Sequence, residues 1–273
     1  AWRMEDMRRA LLDLFRGHGY QLVIPPLMEY VDSLLTGVGA DLDLKTFKLV
    51  DQLTGRLMGV RADITPQVAR IDAHLLAANA VNRLCYAGSV LHTQSDGFHR
   101  SREPIQIGAE LYGEVGAEAD LEILTLMLQG LAACGVKTLQ LDIGHVGVYR
   151  ALAHEAGLSG EIEHQLFGAL QAKDSSAVVV LTTGLPAALR DAFGALPQLY
   201  GDRSVLAEAR ARLPQLPAVQ NALDTLETLD RGLVNVEAAY DLAELRGYGY
   251  HSGVVFAAYT GGRSHAIAQG GRY

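Results

Sequence analysis

Residues 104–113, PIQIGAELYG, alternate in a way that only an extended strand satisfies. Ile105, Ile107, Ala109 and Leu111 make one apolar face, and Gln106, Gly108 and Glu110 make the other. Strand rise sets Gln106 and Glu110 roughly 13 Å apart along the backbone. Gly108 leaves the sheet floor between them without a side chain. Two readings fit this pattern. The polar face is solvated beside a loop, or it offers two polar posts to a small zwitterion lying over the glycine.

The strand has neighbours of the same kind. NRLCYAGSVLHT (82–93) and REPIQIGAELYGEV (102–115) read as two long strands joined by the polar loop QSDGFHRS. Upstream, residues 2–17 carry Met4, Met7, Leu11, Leu14 and Phe15 on one helical stripe, with Gly17 or Gly19 ending the helix. YQLVIPPL reads as a strand that its prolines confine to an edge. FKLVD and RLMGVR flank Thr54-Gly55 as a hairpin. In RADITPQVARIDAHLL, Thr65 is an N-cap, and Pro66 takes the first helical position, where its missing N–H costs nothing. Val68, Ile71, Leu75 and Leu76 form the buried face of that helix. Asp63 and Thr65 thus sit where strand turns into helix.

A helix over about 117–134, stopped at Gly135, and the strand TLQLDIGHV follow. Short helical patterns replace strands over 158–232. Strands resume in VNVEAAYDL, GVVFAAYT and SHAIAQGG, with a turn at Gly261-Gly262. This order predicts an α+β fold: an antiparallel sheet flanked by helices, with a core of 1–157 and 233–273 and a helical insertion subdomain over 158–232.

Composition excludes several classes of function. A net charge of −8, with 23 Lys and Arg among 273 residues, is wrong for a chain built mainly to hold nucleic acid. The chain lacks a GxxxxGK[ST] loop and a GxSxG elbow, and GVGADL has neither the third glycine nor the preceding strand of a dinucleotide fingerprint. The nine histidines form no HExxH, and no Cys/His set has zinc spacing, so no metal and no cofactor is expected. Cys85 and Cys134 are lone thiols suited to a reducing compartment. The sequence holds no membrane-length apolar run and no signal pattern, so a cytoplasmic protein is expected. Its first residue is Ala1 and its last residues, GGRY, stop in mid-motif, so it is expected to be a piece of a longer chain.

RADITPQVARIDAH, CYAGSVLHT, REPIQIGAELYG, RGYGYHSGVVF and GGRY, in this order, resemble the catalytic core of histidyl-tRNA synthetase, a class II synthetase fold. They resemble more closely the synthetase's paralogue, the regulatory subunits of short-form ATP phosphoribosyltransferases, to which RADITPQVAR is specific. The synthetase carries an Arg-Pro-Glu-Gly-Thr string there. The resemblance implies a cradle for free histidine. Gln106 and Glu110 match two residues that hold the substrate histidine. Asp63 matches a glutamate that receives the ammonium, and Thr65 matches a threonine beside it. Arg246 matches the arginine facing the carboxylate, Tyr250 the first of a Tyr-Tyr pair, and His251 stands at the second. The synthetase arginine that grips the ATP α-phosphate corresponds to His92, and the glutamate after it to Gln94. An imidazole offers phosphate no bidentate fork, so adenylate formation is expected to be lost.

The resemblance therefore implies a non-catalytic subunit required by the short-form catalytic subunit in the first step of histidine biosynthesis. It implies feedback by histidine as effector and a dimer of these subunits within a hetero-oligomer. Met4, Met7, Leu27 and Met28 are apolar candidates for that dimer surface. Two rival readings remain: an active histidyl-tRNA synthetase core and a stand-alone amino-acid sensor.

Overall fold

The computed structural model describes residues 1–35, 40–76, 80–95, 101–234, 236–245, 247, 249–261 and 265–273. The chain divides into two compact units, one of residues 1–115 and 126–135, the other of 116–125 and 136–273.

In the first unit, α1 (Trp2–Gly17) buries only Phe15 of its apolar stripe, and Met4 and Met7 stay exposed. β1 (Gln21–Leu22) is shorter than the sequence pattern and lies parallel to β5 (Asn82–Ser89), because Pro25 and Pro26 end it at once. β2 (Met28–Tyr30), β3 (Phe47–Val50) and β4 (Leu57–Val60) form a separate sheet in the order β2-β4-β3. The β3–β4 turn forms as expected: Gly55 takes φ +72, and the Asp51 carboxylate accepts from Leu53 N at 3.1 Å and from the Thr54 hydroxyl at 2.6 Å. Short helices α2 (Val31–Leu34) and α3 (Ala40–Lys45) precede β3.

β5 pairs antiparallel with β6 (Ile105–Tyr112), and the register sets Gly88 opposite Gln106, Tyr86 opposite Gly108 and Leu84 opposite Glu110. Above this face runs α4 (Thr65–Leu75). Ile64, Val68, Leu84, Tyr86 and Val90 make the core here, with Ile71 and Leu76 against it. Leu75, expected inside, is exposed at the helix end. The polar face of β6 is therefore the face turned toward the core. The apolar face is only half-buried, and Ile105 is exposed, since β6 is an edge strand of the three-stranded sheet β1-β5-β6. Of the loop expected between these strands, residues 96–100 lie outside the described residues. α5 (Ala117–Ala133) ends just before Gly135 at φ +83.

The second unit holds the sheet β11-β10-β7-β9-β8, made of β7 (Gln140–His145), β8 (Tyr200–Gly201), β9 (Ala238–Asp241), β10 (Val254–Tyr259) and β11 (Ala268–Gly271). β7 and β9 are parallel, so the α+β fold contains two parallel pairs that period-2 patterns do not announce. Between β7 and β9 the chain forms α6 (Val146–Glu155), α7 (Gly160–Gln171), α8 (Ser175–Thr182), α9 (Ala187–Ala195), α10 (Ser204–Arg212) and α11 (Pro217–Gly232). α11 buries Val219, Ala222, Leu223, Leu226 and Leu229 at helical spacing. Each buried leucine contributes about 2 kcal/mol. Of the expected turn at Gly261-Gly262, Gly262 lies outside the described residues. Among the described residues no helix is long and apolar enough to cross a membrane.

Candidate functional site

The segment from β4 into α4 is pinned before it reaches the candidate residues. Arg61 is buried, its Nε donating to Ser89 O at 2.9 Å and its Nη1 to Pro25 O at 2.7 Å. Burial pulls the Arg61 pKa down, against the nearby charge of Glu29. Gly88 is glycine for a steric reason, since a Cβ there would overlap the Arg61 guanidinium. Arg61 N donates to Leu27 O and Leu91 N to Arg61 O, each at 3.0 Å.

Asp63, Thr65, Gln106 and Glu110 come together on this frame. Asp63 Oδ1 accepts from Gln106 Nε2 at 2.7 Å and from Thr65 N at 2.9 Å. Gln106 Oε1 in turn accepts from Ile64 N at 2.9 Å. The amide is thus used at both ends and locks the turn onto β6. Asp63, through the Thr65 N–H, satisfies a donor at the helix start. Thr65 itself is the first residue of α4 and not its N-cap, because its hydroxyl is committed elsewhere. It donates to Glu110 Oε1 at 3.2 Å and stands 3.0 Å from the Tyr86 hydroxyl.

Tyr86, which the strand pattern did not single out, corrects the expectation of a bare floor at Gly108. Its ring lies across the glycine, and a Cβ on Gly108 would overlap the phenol oxygen. The hydroxyl donates to the same Glu110 Oε1 at 3.0 Å. Burial raises the Tyr86 pKa well above the usual phenol value, and the charges of Glu110 and Asp63 push it further. The hydroxyl therefore stays a donor. The signal for Tyr86 in the sequence is an aromatic on the strand paired with a glycine-bearing strand, which needs the register to be read.

The other candidates belong to the second unit. Arg246 lies outside the described residues. Tyr250 and His251 occupy a turn in which both backbone N–H groups donate to Gly247 O, at 2.8 and 2.7 Å. Gly247 has φ +68, and a Cβ there would overlap the His251 ring. Tyr250 stacks on Tyr273 with centroids 4.7 Å apart, and its ring meets the His251 ring edge-on at 5.5 Å. Arg150 donates to His251 O at 2.7 Å.

His92, back in the first unit, has its Nε2 2.9 Å from Ala62 O, so one ring nitrogen is occupied by backbone. His92 N donates to Arg102 O at 2.8 Å, and Arg102 Nε donates to His92 O at 3.0 Å. The Arg102 guanidinium lies over the Phe47 ring, 5.1 Å from its centroid. At this position the chain presents an anchored imidazole, where a phosphate clamp calls for a free cationic fork.

A family model described as histidyl-tRNA synthetase matches residues 1–273. The protein named ATP phosphoribosyltransferase regulatory subunit from Thiobacillus denitrificans is 83% identical over 273 residues, spanning 100% of this chain and 85% of that protein. The Ralstonia nicotianae protein of the same name is 60% identical, over 100% of this chain and 71% of its own. A solved structure from Bacillus halodurans C, described as an ATP phosphoribosyltransferase regulatory subunit/histidyl-tRNA synthetase, has TM-score 0.86 and 27% identity over 99% of this chain and 72% of that one. The ATP phosphoribosyl transferase (HisG:HisZ) complex from Thermotoga maritima, at TM-score 0.71 and 17% identity over 98% of this chain and 91% of that one, shares the fold. With a class II synthetase-like fold and relatives this similar along its whole length, the chain belongs to the histidyl-tRNA synthetase-like family of ATP phosphoribosyltransferase regulatory subunits.

Proposed function

We propose that this chain is the non-catalytic regulatory subunit of a short-form ATP phosphoribosyltransferase, acting with its catalytic subunit in the first step of histidine biosynthesis. The identity of 83% with a protein of that name carries the reading. The backbone-bound imidazole of His92 supports the absence of adenylate chemistry. A cytoplasmic setting accompanies it.

The subunit also receives the feedback signal as free histidine. Four residues support this: Asp63, Thr65, Gln106 and Glu110, gathered half-buried around one turn. Asp63 Oδ2 takes no hydrogen bond from a described residue, and a carboxylate oxygen of that kind suits an ammonium. Arg246, Tyr250 and His251 are carried as candidates by the resemblance alone. Histidine controls turnover only if it binds one arrangement of the complex better than another, and the coupling is reciprocal. Self-association as a dimer is part of the proposal, supported by the exposed side chains of Trp2, Met4, Leu27 and Met28 in the first unit. So is the division into a core of 1–157 and 233–273 with an insertion over 158–232.

Mixing the purified chain with a short-form catalytic subunit tests this. Phosphoribosyl transfer to ATP should rise on mixing and fall again on adding histidine. Unchanged turnover with no complex on gel filtration would favour a stand-alone sensor. Histidine-dependent pyrophosphate exchange by the chain alone would make it a synthetase.

A further inference from the structure

We propose that α4 is fastened to the run of residues 25–29 through a site for one buried water molecule, which bridges the Gln67 carbonyl and the Arg70 guanidinium. The site stands apart from the histidine reading and does not depend on it.

Residues 61–70 bond in two directions. Asp63 and Thr65 bond toward β6. Arg61, Gln67 and Arg70 reach instead for residues 25–29. Pro25 and Pro26 have no N–H to give, so that run is held by its carbonyls. Pro25 O accepts from Arg61 Nη1 at 2.7 Å, Pro26 O from Gln67 Nε2 at 2.8 Å and Leu27 O from Arg61 N at 3.0 Å. One turn further along α4, Arg70 Nη2 donates to Glu29 Oε2. Two rungs, Gln67–Pro26 and Arg70–Glu29, thus join the helix to the run.

Each rung leaves one polar atom buried. Gln67 is 2% exposed, and its Oε1 accepts from no described residue. Pro26 O fixes which end of the amide is which, because only the nitrogen can donate to it. Arg70 Nη1 is buried as well and donates to no described residue. Buried groups of this kind are rarely left without a bond. Residues three apart on a helix have Cβ atoms about 5–6 Å apart, the span of two hydrogen bonds of about 2.9 Å laid end to end. The species between the rungs must accept from Arg70 and donate to Gln67, and water does both. An anion would meet the lone pairs of the Gln67 oxygen, and a metal cation would meet the guanidinium. Neither atom is open to a side chain from another chain.

A crystal structure of the protein soaked in bromide, at a resolution that shows ordered water, reads the site directly. The expected result is one water within about 2.7–3.2 Å of both Gln67 Oε1 and Arg70 Nη1, with no anomalous bromide signal there. Bromide in the site, a direct Gln67–Arg70 bond, or no density between the two atoms would overturn the inference. A double-mutant cycle in urea gives an independent reading. Gln67→Met removes the acceptor, and Arg70→Lys keeps a charge for Glu29 while removing Nη1. Either change alone dislodges a shared water, so the second should cost less, and the two should couple by about fivefold in the folding equilibrium. Additivity within about twofold would show that the two atoms share no partner and would overturn the inference. The crystal reading decides the matter if either variant folds poorly.

Discussion

Each unit contains a carboxylate withdrawn from solvent, half-buried Asp63 in the first and buried Asp120 in the second, and the two are satisfied in opposite ways. In the second unit Arg272 reaches Asp120 with Nε at 3.0 Å from Oδ1 and Nη2 at 2.9 Å from Oδ2, and Nη2 also donates to Gly116 O. Burial raises the Asp120 pKa, and the guanidinium works against that rise. The charge is answered inside the fold. In the first unit Asp63 is held by an amide N–H and a backbone N–H, both neutral, and among the described residues no cation pairs with it. A fold that answers one carboxylate with its own arginine and leaves another to neutral donors has one structural acid and one that, on the proposed reading, meets a cationic ligand.

The largest effect should follow from breaking the closed pair. Asp120→Ala strands the Arg272 guanidinium and should cost about 3 kcal/mol or more in urea denaturation. Asp120→Leu combined with Arg272→Met should recover most of it. A loss under about 1 kcal/mol for the single change would end the contrast between the two carboxylates.

A second effect belongs to the same neighbourhood. His145 caps α6 through Nδ1, which accepts from Gly147 N at 3.0 Å. Burial, then the charge of Arg272, lowers its pKa to about 4. The unfolded chain takes up this proton below about pH 6.5, whereas the folded chain waits until about pH 4. Stability is therefore full above pH 6.5 and is lost as pH falls toward 4, by about 3 kcal/mol over the whole window. Denaturation at pH 7.5 and pH 5 should differ by about 2 kcal/mol from this residue. His145→Asn, which keeps a capping acceptor, should shrink that difference, and an unchanged pH dependence would show that the imidazole is not its source.

Much of the first unit was legible because local chemistry decides it. The β3–β4 turn follows from Asp51, Thr54 and Gly55 together, and the start of α4 follows from Pro66 to within one residue, since Pro66 is the second helical residue and not the first. The polar face of Gln106 and Glu110 was also legible, though not its direction, whereas Asp63 joined them only through the resemblance. Alternation states that two faces differ and not which one meets the core, and here α4 covers the polar one. Tyr86 over Gly108 and the parallel pairs β1–β5 and β7–β9 depend on pairing between distant segments, which no periodicity within a strand encodes. Thr65 was misread as a cap because cap preference describes a lone helix end, and this hydroxyl has Tyr86 and Glu110 within reach.

The smallest expected change in stability is the one that most sharpens the comparison. Asp63→Asn keeps an oxygen able to accept from Thr65 N and from Gln106 Nε2, so both bonds that lock the turn survive. It removes only the charge, and among the described residues no cation loses a partner. Stability should therefore stay within about 1 kcal/mol of wild type. A hydrogen bond to a charged group contributes about 1.5–3 kcal/mol, so histidine affinity should fall by roughly tenfold to a hundredfold if the ammonium sits at this carboxylate. Thermal denaturation with and without histidine reads both quantities on one sample. A variant as unstable as Asp120→Ala would make Asp63 a structural acid after all. One that kept the wild-type histidine shift would move the ammonium away from this turn.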